Sequence, residues 1–139
     1  IGKSALNNQH ADLFIDSVQL AENEGIGSVE AERRIIGTDH CRIGAMLAKR
    51  WSLPATLVEA IEMHHDPLSA LEDRELTMLI NMADGLCQKM GIGPRVKPEI
   101  DLTQLESWTA LGLTEDQIDS ISGEVSCTME RDKGFFGLD

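Results

Sequence analysis

The chain has 139 residues, of which 42% are hydrophobic and 26% are charged. This composition predicts a globular domain with one core and excludes disordered and collagen-like chains. The 12 basic and 24 acidic residues give a net charge of −12, which excludes sequence-independent nucleic-acid binding because such a surface repels phosphates. No apolar run approaches the roughly 20 residues that span a bilayer. We therefore expect a protein that does not associate with membranes.

The three cysteines, Cys41, Cys87 and Cys127, are widely spaced and odd in number. No C-x-x-C pair occurs among them, so a disulfide scaffold or a zinc ribbon is not expected. All three fall within helix-like patterns. We therefore predict reduced thiols in or near the core.

Apolar residues recur at steps of three and four along almost the whole chain, the spacing that places them on one face of an α-helix. The first such stripe comprises Ala11, Phe14, Ile15, Val18 and Ala21. Ser28 is the predicted cap of a second helix, which Gly37 ends. Thr38 or Asp39 is the predicted cap of a third helix, whose expected buried stripe comprises Ile43, Met46, Leu47 and Trp51.

Pro54 suits the first turn of the next predicted helix, whose apolar face carries Leu57, Val58 and Ile61 up to His64 and His65. A longer helix is predicted from Leu76, Leu79, Ile80, Ala83, Leu86, Cys87 and Met90. A linker at about residues 94–100 precedes C-terminal helices within 101–131, where Thr114 and Gln117 form a capping box. The sequence thus predicts an all-α bundle of about six to seven helices with no substantial sheet.

Four residues are candidates for a metal site. His40 lies in the first turn of its predicted helix, His64 and His65 lie in the last turn of theirs, and Asp84 lies within the long helix. Each alone has a structural interpretation, such as capping or interaction with the helix dipole. Together, histidines and a helical aspartate are the residues from which helical proteins build divalent metal sites.

Five blocks of sequence resemble the core signature of HDOD domains, which are output-domain relatives of the HD and HD-GYP metal-dependent phosphohydrolases. The blocks span residues 37–45 (GTDHCRIGA), 51–54 (WSLP), 57–61 (LVEAI), 64–67 (HHDP) and 79–86 (LINMADGL). Ile1-Gly2-Lys3 is similar to the end of the family's His-Asp-Ile-Gly-Lys segment. The resemblance covers about residues 1–93, and it implies that residues 1–139 are the C-terminal portion of one HDOD-like domain.

The resemblance places His40, His64, His65 and Asp84 at metal-binding positions of the catalytic relatives. We predict that they converge on one crevice between three helices, because the turn at residues 52–54 folds the helix that His40 begins against the helix that the histidine pair ends. Asp84, at the edge of the apolar stripe of the long helix, can face the same crevice. The family's His-Asp dyad would precede Ile1, and no Gly-Tyr-Pro element follows His65. We therefore assign no catalytic residue and no cofactor, and we expect at most a weak or vestigial site for a divalent transition metal.

The resemblance favours a non-catalytic regulatory output domain of a bacterial, cytoplasmic signal-transduction protein. Such a domain acts through contacts with another protein or with an upstream domain of the same polypeptide, and a homo-oligomer is an alternative. An apolar surface is expected near Ile1, Phe14 and Ile15, where upstream helices would pack. The rival function is a metal-dependent phosphohydrolase with its dyad upstream and with Lys3 holding a phosphate. A purely structural helical module is the third alternative.

Overall fold

The computed structural model describes residues 1–92 and 96–132. Within these ranges the chain forms eight α-helices and no β-strand, which confirms the all-α fold. The helices are α1 (Gly2–Gln9), α2 (Ala11–Glu24), α3 (Ser28–Ile36), α4 (His40–Arg50), α5 (Ala55–Met63), α6 (Arg74–Lys89), α7 (Glu106–Leu111) and α8 (Glu115–Arg131). Short 3₁₀ turns occupy Pro67–Ser69 and Leu102–Gln104. None of the described helices is both long and apolar enough to cross a bilayer.

The chain divides into a first unit, residues 1–80, and a second unit that begins at Asn81. In the first unit, α1 packs against α2 and α4, α2 packs against α3, and α4 packs against α5. The helix α1 was not predicted from the sequence. Its eight residues are largely polar, and only Gly2 and Leu6 are buried, so it carries no apolar stripe long enough to reveal it.

Two glycines allow the backbones of α1 and α4 to approach each other closely. A Cβ atom at Gly2 would lie 1.8 Å from the carbonyl oxygen of His40, a separation that no real Cβ atom tolerates. A Cβ atom at Gly44 would meet the side chain of Ile61 at 2.7 Å and the backbone nitrogen of Gly2 at 3.5 Å. The backbone at the start of α4 therefore packs directly against the backbone at the start of α1.

The predicted buried stripe of α4 is partly wrong. Met46 and Trp51 are 65% and 57% exposed, and the helix instead buries Cys41, Gly44, Ala45 and Ala48 along with His40. Ala45 and Ala48 form an apolar cluster with Val58 of α5. Small residues face the neighbouring helices because the close approach leaves no room for long side chains.

Among α3, α4 and α5, the predicted start is correct for α4, where Asp39 rather than Thr38 is the cap, and is displaced by one residue for α3 and α5. Asp39 is the N-cap of α4, and its side chain accepts a hydrogen bond from the N–H of Arg42 at 2.9 Å. Gly27, rather than Ser28, is the N-cap of α3. Pro54 is the N-cap of α5, just before its first turn. Such displacements are ordinary at helix ends, where local turn geometry decides.

The segment between α5 and α6 is tied to α5 by one carboxylate. Glu59 accepts hydrogen bonds from the backbone N–H groups of Leu71, Glu72 and Asp73 at 2.7, 2.7 and 2.9 Å. The bond from Leu71 is the largest of the causes that hold the pKa of Glu59 below its usual value. Asp73 in turn accepts from the N–H of Leu76 at 3.0 Å, which caps the start of α6.

The second unit has its own apolar cluster. The buried members are Met82, Leu86, Leu102 and Ile118, and Met90 and Trp108 are among the half-buried residues around them. The capping box of Thr114 and Gln117 is present at the start of α8, as predicted. Cys41 is buried and Cys87 is half-buried, but the core prediction is wrong for Cys127, which is exposed. The predicted linker falls partly on residues 94 and 95, which lie outside the described ranges, and residues 96–100 form no helix.

We predict that Gly2→Ala destabilises the first unit, since its methyl group would overlap the carbonyl oxygen of His40. The expected loss is about 1–3 kcal/mol of unfolding free energy, the usual cost of overpacking. Urea unfolding followed by circular dichroism measures it. The control is Gly123→Ala in α8, where a Cβ atom meets nothing within 4 Å. The control should be neutral or stabilising, and an equal loss in both variants would contradict the prediction.

Candidate metal centre

Three of the four predicted site residues come together in the first unit. His40 is the first residue of α4, and His64 and His65 directly follow α5. The Nε2 atom of His40 lies 3.3 Å from Nε2 of His64 and 3.1 Å from Nε2 of His65. The packing of α4 against α5 thus brings one helix start and one helix end to a common point, as expected for the histidines.

The ring of His40 is oriented by Glu32, which sequence reasoning did not single out. Glu32 lies in α3 and is 2% exposed. One of its oxygens, Oε2, accepts from the backbone N–H of His40 and lies 2.7 Å from its Nδ1 atom. Because a carboxylate only accepts, Nδ1 carries the proton, and in the neutral ring Nε2 presents its lone pair to the other histidines.

The tautomer of His64 follows from a similar contact. Its Nδ1 atom lies 2.9 Å from the carbonyl oxygen of Ile61, and a carbonyl can only accept, so Nδ1 donates. The Nε2 atom of a neutral His64 ring is therefore the acceptor nitrogen, and it lies 3.3 Å from Nε2 of His40.

Cys41 is the fourth member of the cluster. Its Sγ atom lies 3.6 Å from Nε2 of His40 and 3.9 Å from Nδ1 of His64. One donor atom each from Cys41, His40, His64 and His65 can be chosen so that all lie within 4.8 Å of one another. The sequence predicted burial of this thiol but not its place in the cluster, although its position next to His40 was an available signal.

The electrostatic surroundings of Cys41 are negative. Burial is the main cause that raises the pKa of the Cys41 thiol to about 12, and the charges of Asp39 and Glu32 raise it further. The cations Lys3 and Arg33 act in the opposite direction and more weakly. The charges of Asp39 and Glu32 therefore favour a cation near the thiol, whereas burial disfavours any unpaired charge there.

The side chain of Asp39 has a structural role. Its side chain is fully buried and accepts from Arg33 Nε at 2.7 Å as well as from the N–H of Arg42. Burial by itself raises the pKa of Asp39, but the bond from Arg42 and the Arg33 guanidinium outweigh it, and the pKa falls below its ordinary value.

Asp84, the fourth predicted metal ligand, belongs to the second unit. Its carboxylate accepts a hydrogen bond from Nε2 of Gln88, one turn further along α6, at 2.7 Å. The cluster described above consists of His40, Cys41, His64 and His65. Participation of Asp84 in a metal site stays a prediction.

Comparison with known proteins supports the resemblance seen in the sequence. Residues 1–67 match the family model of the HDOD domain, a range that includes His40, Cys41, His64 and His65. The chain is also similar to the crystal structure of an HDOD domain protein of unknown function from Geobacter sulfurreducens. The two share 28% identity with a TM-score of 0.61, over 84% of this chain and 42% of the other. The chain thus spans less than half of that protein. No curated protein matches the sequence.

Removal of the Glu32 carboxylate is expected to destabilise the first unit. Glu32→Ala leaves two buried donors of His40 without their acceptor, at a cost of about 1–3 kcal/mol for each. Glu32→Gln keeps one acceptor oxygen and should lose less. Urea unfolding followed by circular dichroism ranks the variants. Glu30→Ala is the control, since Glu30 pairs with Arg34 at the exposed surface, and it should change stability by less than about 0.5 kcal/mol.

The lowered pKa of Asp39 predicts a pH-dependent contribution to stability. A carboxyl with a lower pKa in the folded state stabilises the fold above its unfolded pKa, and this contribution disappears as the pH falls through the folded value. Asp39→Asn retains an oxygen for capping but removes the charge. We expect the variant to be about 1 kcal/mol less stable at neutral pH, a modest value because Arg33 is 60% exposed.

The difference between the wild type and Asp39→Asn should shrink below about pH 4. Unfolding free energies measured at several pH values provide the check. Asp16→Asn, on an exposed position of α2, serves as the control and should show no comparable loss. A difference that persists unchanged at low pH would show that the charge of Asp39 is not responsible.

Proposed function

Since the chain belongs to the HDOD family over residues 1–67, we propose that it is a regulatory module that acts through protein–protein contacts. The observation that carries this proposal is an exposed apolar stripe on α2. Ile15 and Val18 are 50% and 40% exposed, and Ala11 is exposed as well. Their spacing of four and three residues places all three on one line along the helix.

The stripe is not the face through which α2 packs within the chain. The buried residues of α2 are Ser17 and Ala21, which occupy a neighbouring sector of the helix. A solvated helix face is usually polar, and contiguous exposed apolar positions commonly mark interaction sites. The stripe therefore supports contact with another helix or with a further segment of a longer polypeptide.

Acidic residues border the stripe and indicate the chemistry of the partner. Asp12 and Asp16 lie one turn apart on one side, and Glu22 continues the line of Ala11, Ile15 and Val18. A partner helix with apolar residues flanked by Lys or Arg complements this surface. The net charge of −12 would steer such a partner toward it.

We expect a photo-crosslinking amino acid at position 15 to capture a defined partner in cells that express the complete gene product. The same amino acid at position 46, also exposed but on α4, is the matched control. Ile15→Asp should then weaken binding of the purified partner by at least about tenfold, or 1.4 kcal/mol, and Met46→Asp should not. Equal capture at both positions, or binding unaffected by Ile15→Asp, would contradict the proposal.

The second candidate is a metal-dependent phosphohydrolase, which the convergence of three imidazoles favours, since transition metals bind imidazole. It is tested by hydrolysis of phosphomonoesters and phosphodiesters in the presence of added Mn²⁺, Fe²⁺, Ni²⁺ or Zn²⁺. A rate that His64→Ala abolishes would establish the enzyme. The regulatory proposal expects no rate that depends on His64.

A further inference from the structure

We propose that Cys41 is a metal ligand, and that it completes with His40, His64 and His65 a closed, four-coordinate site for a zinc-type divalent ion. The inference goes beyond the proposed protein contacts and does not depend on them. It rests on the spacing of the donor atoms, on the groups that orient the rings and on the charge around the cluster.

The distances match those that a tetrahedral ion imposes. Zinc lies about 2.0–2.1 Å from nitrogen and about 2.3 Å from sulfur, so tetrahedral angles separate two nitrogens by about 3.3 Å and a nitrogen from a sulfur by about 3.6 Å. In the cluster, Nε2 of His40 lies 3.3 Å from His64 Nε2, 3.1 Å from His65 Nε2 and 3.6 Å from Cys41 Sγ. These three separations from His40 Nε2 therefore fit a tetrahedral ion. With one ligand atom taken from each residue, the remaining separations lie within 4.8 Å.

Two of the imidazoles are already oriented for coordination. A histidine that binds a metal through Nε2 commonly donates its other N–H to a carboxylate or a backbone carbonyl, which fixes the tautomer and the ring. Glu32 performs this role for His40, and the carbonyl oxygen of Ile61 performs it for His64. In both rings Nε2 is then the nitrogen available as the metal ligand.

The donor set and its charge select the class of ion. Three imidazoles and a thiolate suit zinc and related transition metals, whereas calcium and magnesium require oxygen ligands. Because the metal-free Cys41 is a thiol, binding of the ion would release its proton to water. The nearby carboxylates of Asp39 and Glu32 are engaged by hydrogen bonds, and their negative charge favours a cation. Because four protein donors fill a tetrahedral site, no position is left for a reactive water, and the bound ion would be structural.

Cobalt(II) provides a direct test, since its spectrum reports both a thiolate ligand and tetrahedral geometry. We expect the purified wild-type chain, freed of metal by a chelator, to bind Co²⁺ with a thiolate-to-cobalt charge-transfer band and intense visible bands. Zinc should displace the cobalt. A wild-type spectrum without the charge-transfer band, or no binding of either metal, would overturn the proposal, and this measurement needs no variant to fold.

Cysteine variants then identify which cysteine supplies the sulfur ligand. Cys41→Ser should abolish the charge-transfer band and weaken zinc binding by at least about 10–100-fold. Loss of a group that only hydrogen-bonds to a metal ligand typically has an effect of this size. Cys127→Ser is the matched control, because Cys127 is exposed and lies outside the cluster, and it should leave both readouts within twofold. If the band persists in Cys41→Ser or disappears in Cys127→Ser, a different cysteine supplies the sulfur ligand and the proposal is wrong.

Discussion

The contact between Glu32 and His40 is the interaction on which the histidine cluster depends. A carboxylate buried as completely as that of Glu32 is costly unless it is paired and hydrogen-bonded. Here one oxygen binds both the first backbone N–H of α4 and the ring of its first residue. The same interaction ties α3 to α4, satisfies an N–H group that the helix leaves without a partner, and orients the ring toward His64 and His65.

Periodicity and the family resemblance predicted the features that local sequence determines. The all-α fold, a cap at Thr38 or Asp39 and the capping box at Thr114 followed from residue type and spacing. The meeting of His40, His64 and His65 followed from their position at the ends of two helices joined by a short turn. These features need only local rules and one helix pair.

The features that the sequence did not predict are those that depend on tertiary packing. Nothing in the sequence near Glu32 shows that its partner is His40, eight residues further on. The sequence around Cys41 is equally typical of an ordinary core cysteine. The large residues Met46 and Trp51 were assigned to the buried face of α4, but the close approach at Gly2 and Gly44 reserves that face for small residues. Propensity and hydrophobicity do not reveal which neighbour a helix face meets.

A closed metal centre and a regulatory role are compatible. An ion held by donors from α4 and from the end of α5 would link these two helices without supplying a reactive water. Such a link would stabilise the part of the chain that matches the HDOD model. The stripe of Ala11, Ile15 and Val18 lies on a different helix, so metal binding and partner binding can be varied separately.

The placement of the aromatic residues decides how the unfolding of this protein can be observed. The chain has two tryptophans and no tyrosine. Trp51, in the first unit, is already exposed in the folded state, whereas Trp108 packs against the apolar cluster of the second unit. Intrinsic fluorescence therefore changes mainly when the second unit opens, and loss of the histidine cluster would pass almost unrecorded in the emission spectrum. Phenylalanine at position 51 would leave Trp108 to report on the second unit alone, and a fluorescent label at position 51 would supply a separate signal for the first unit.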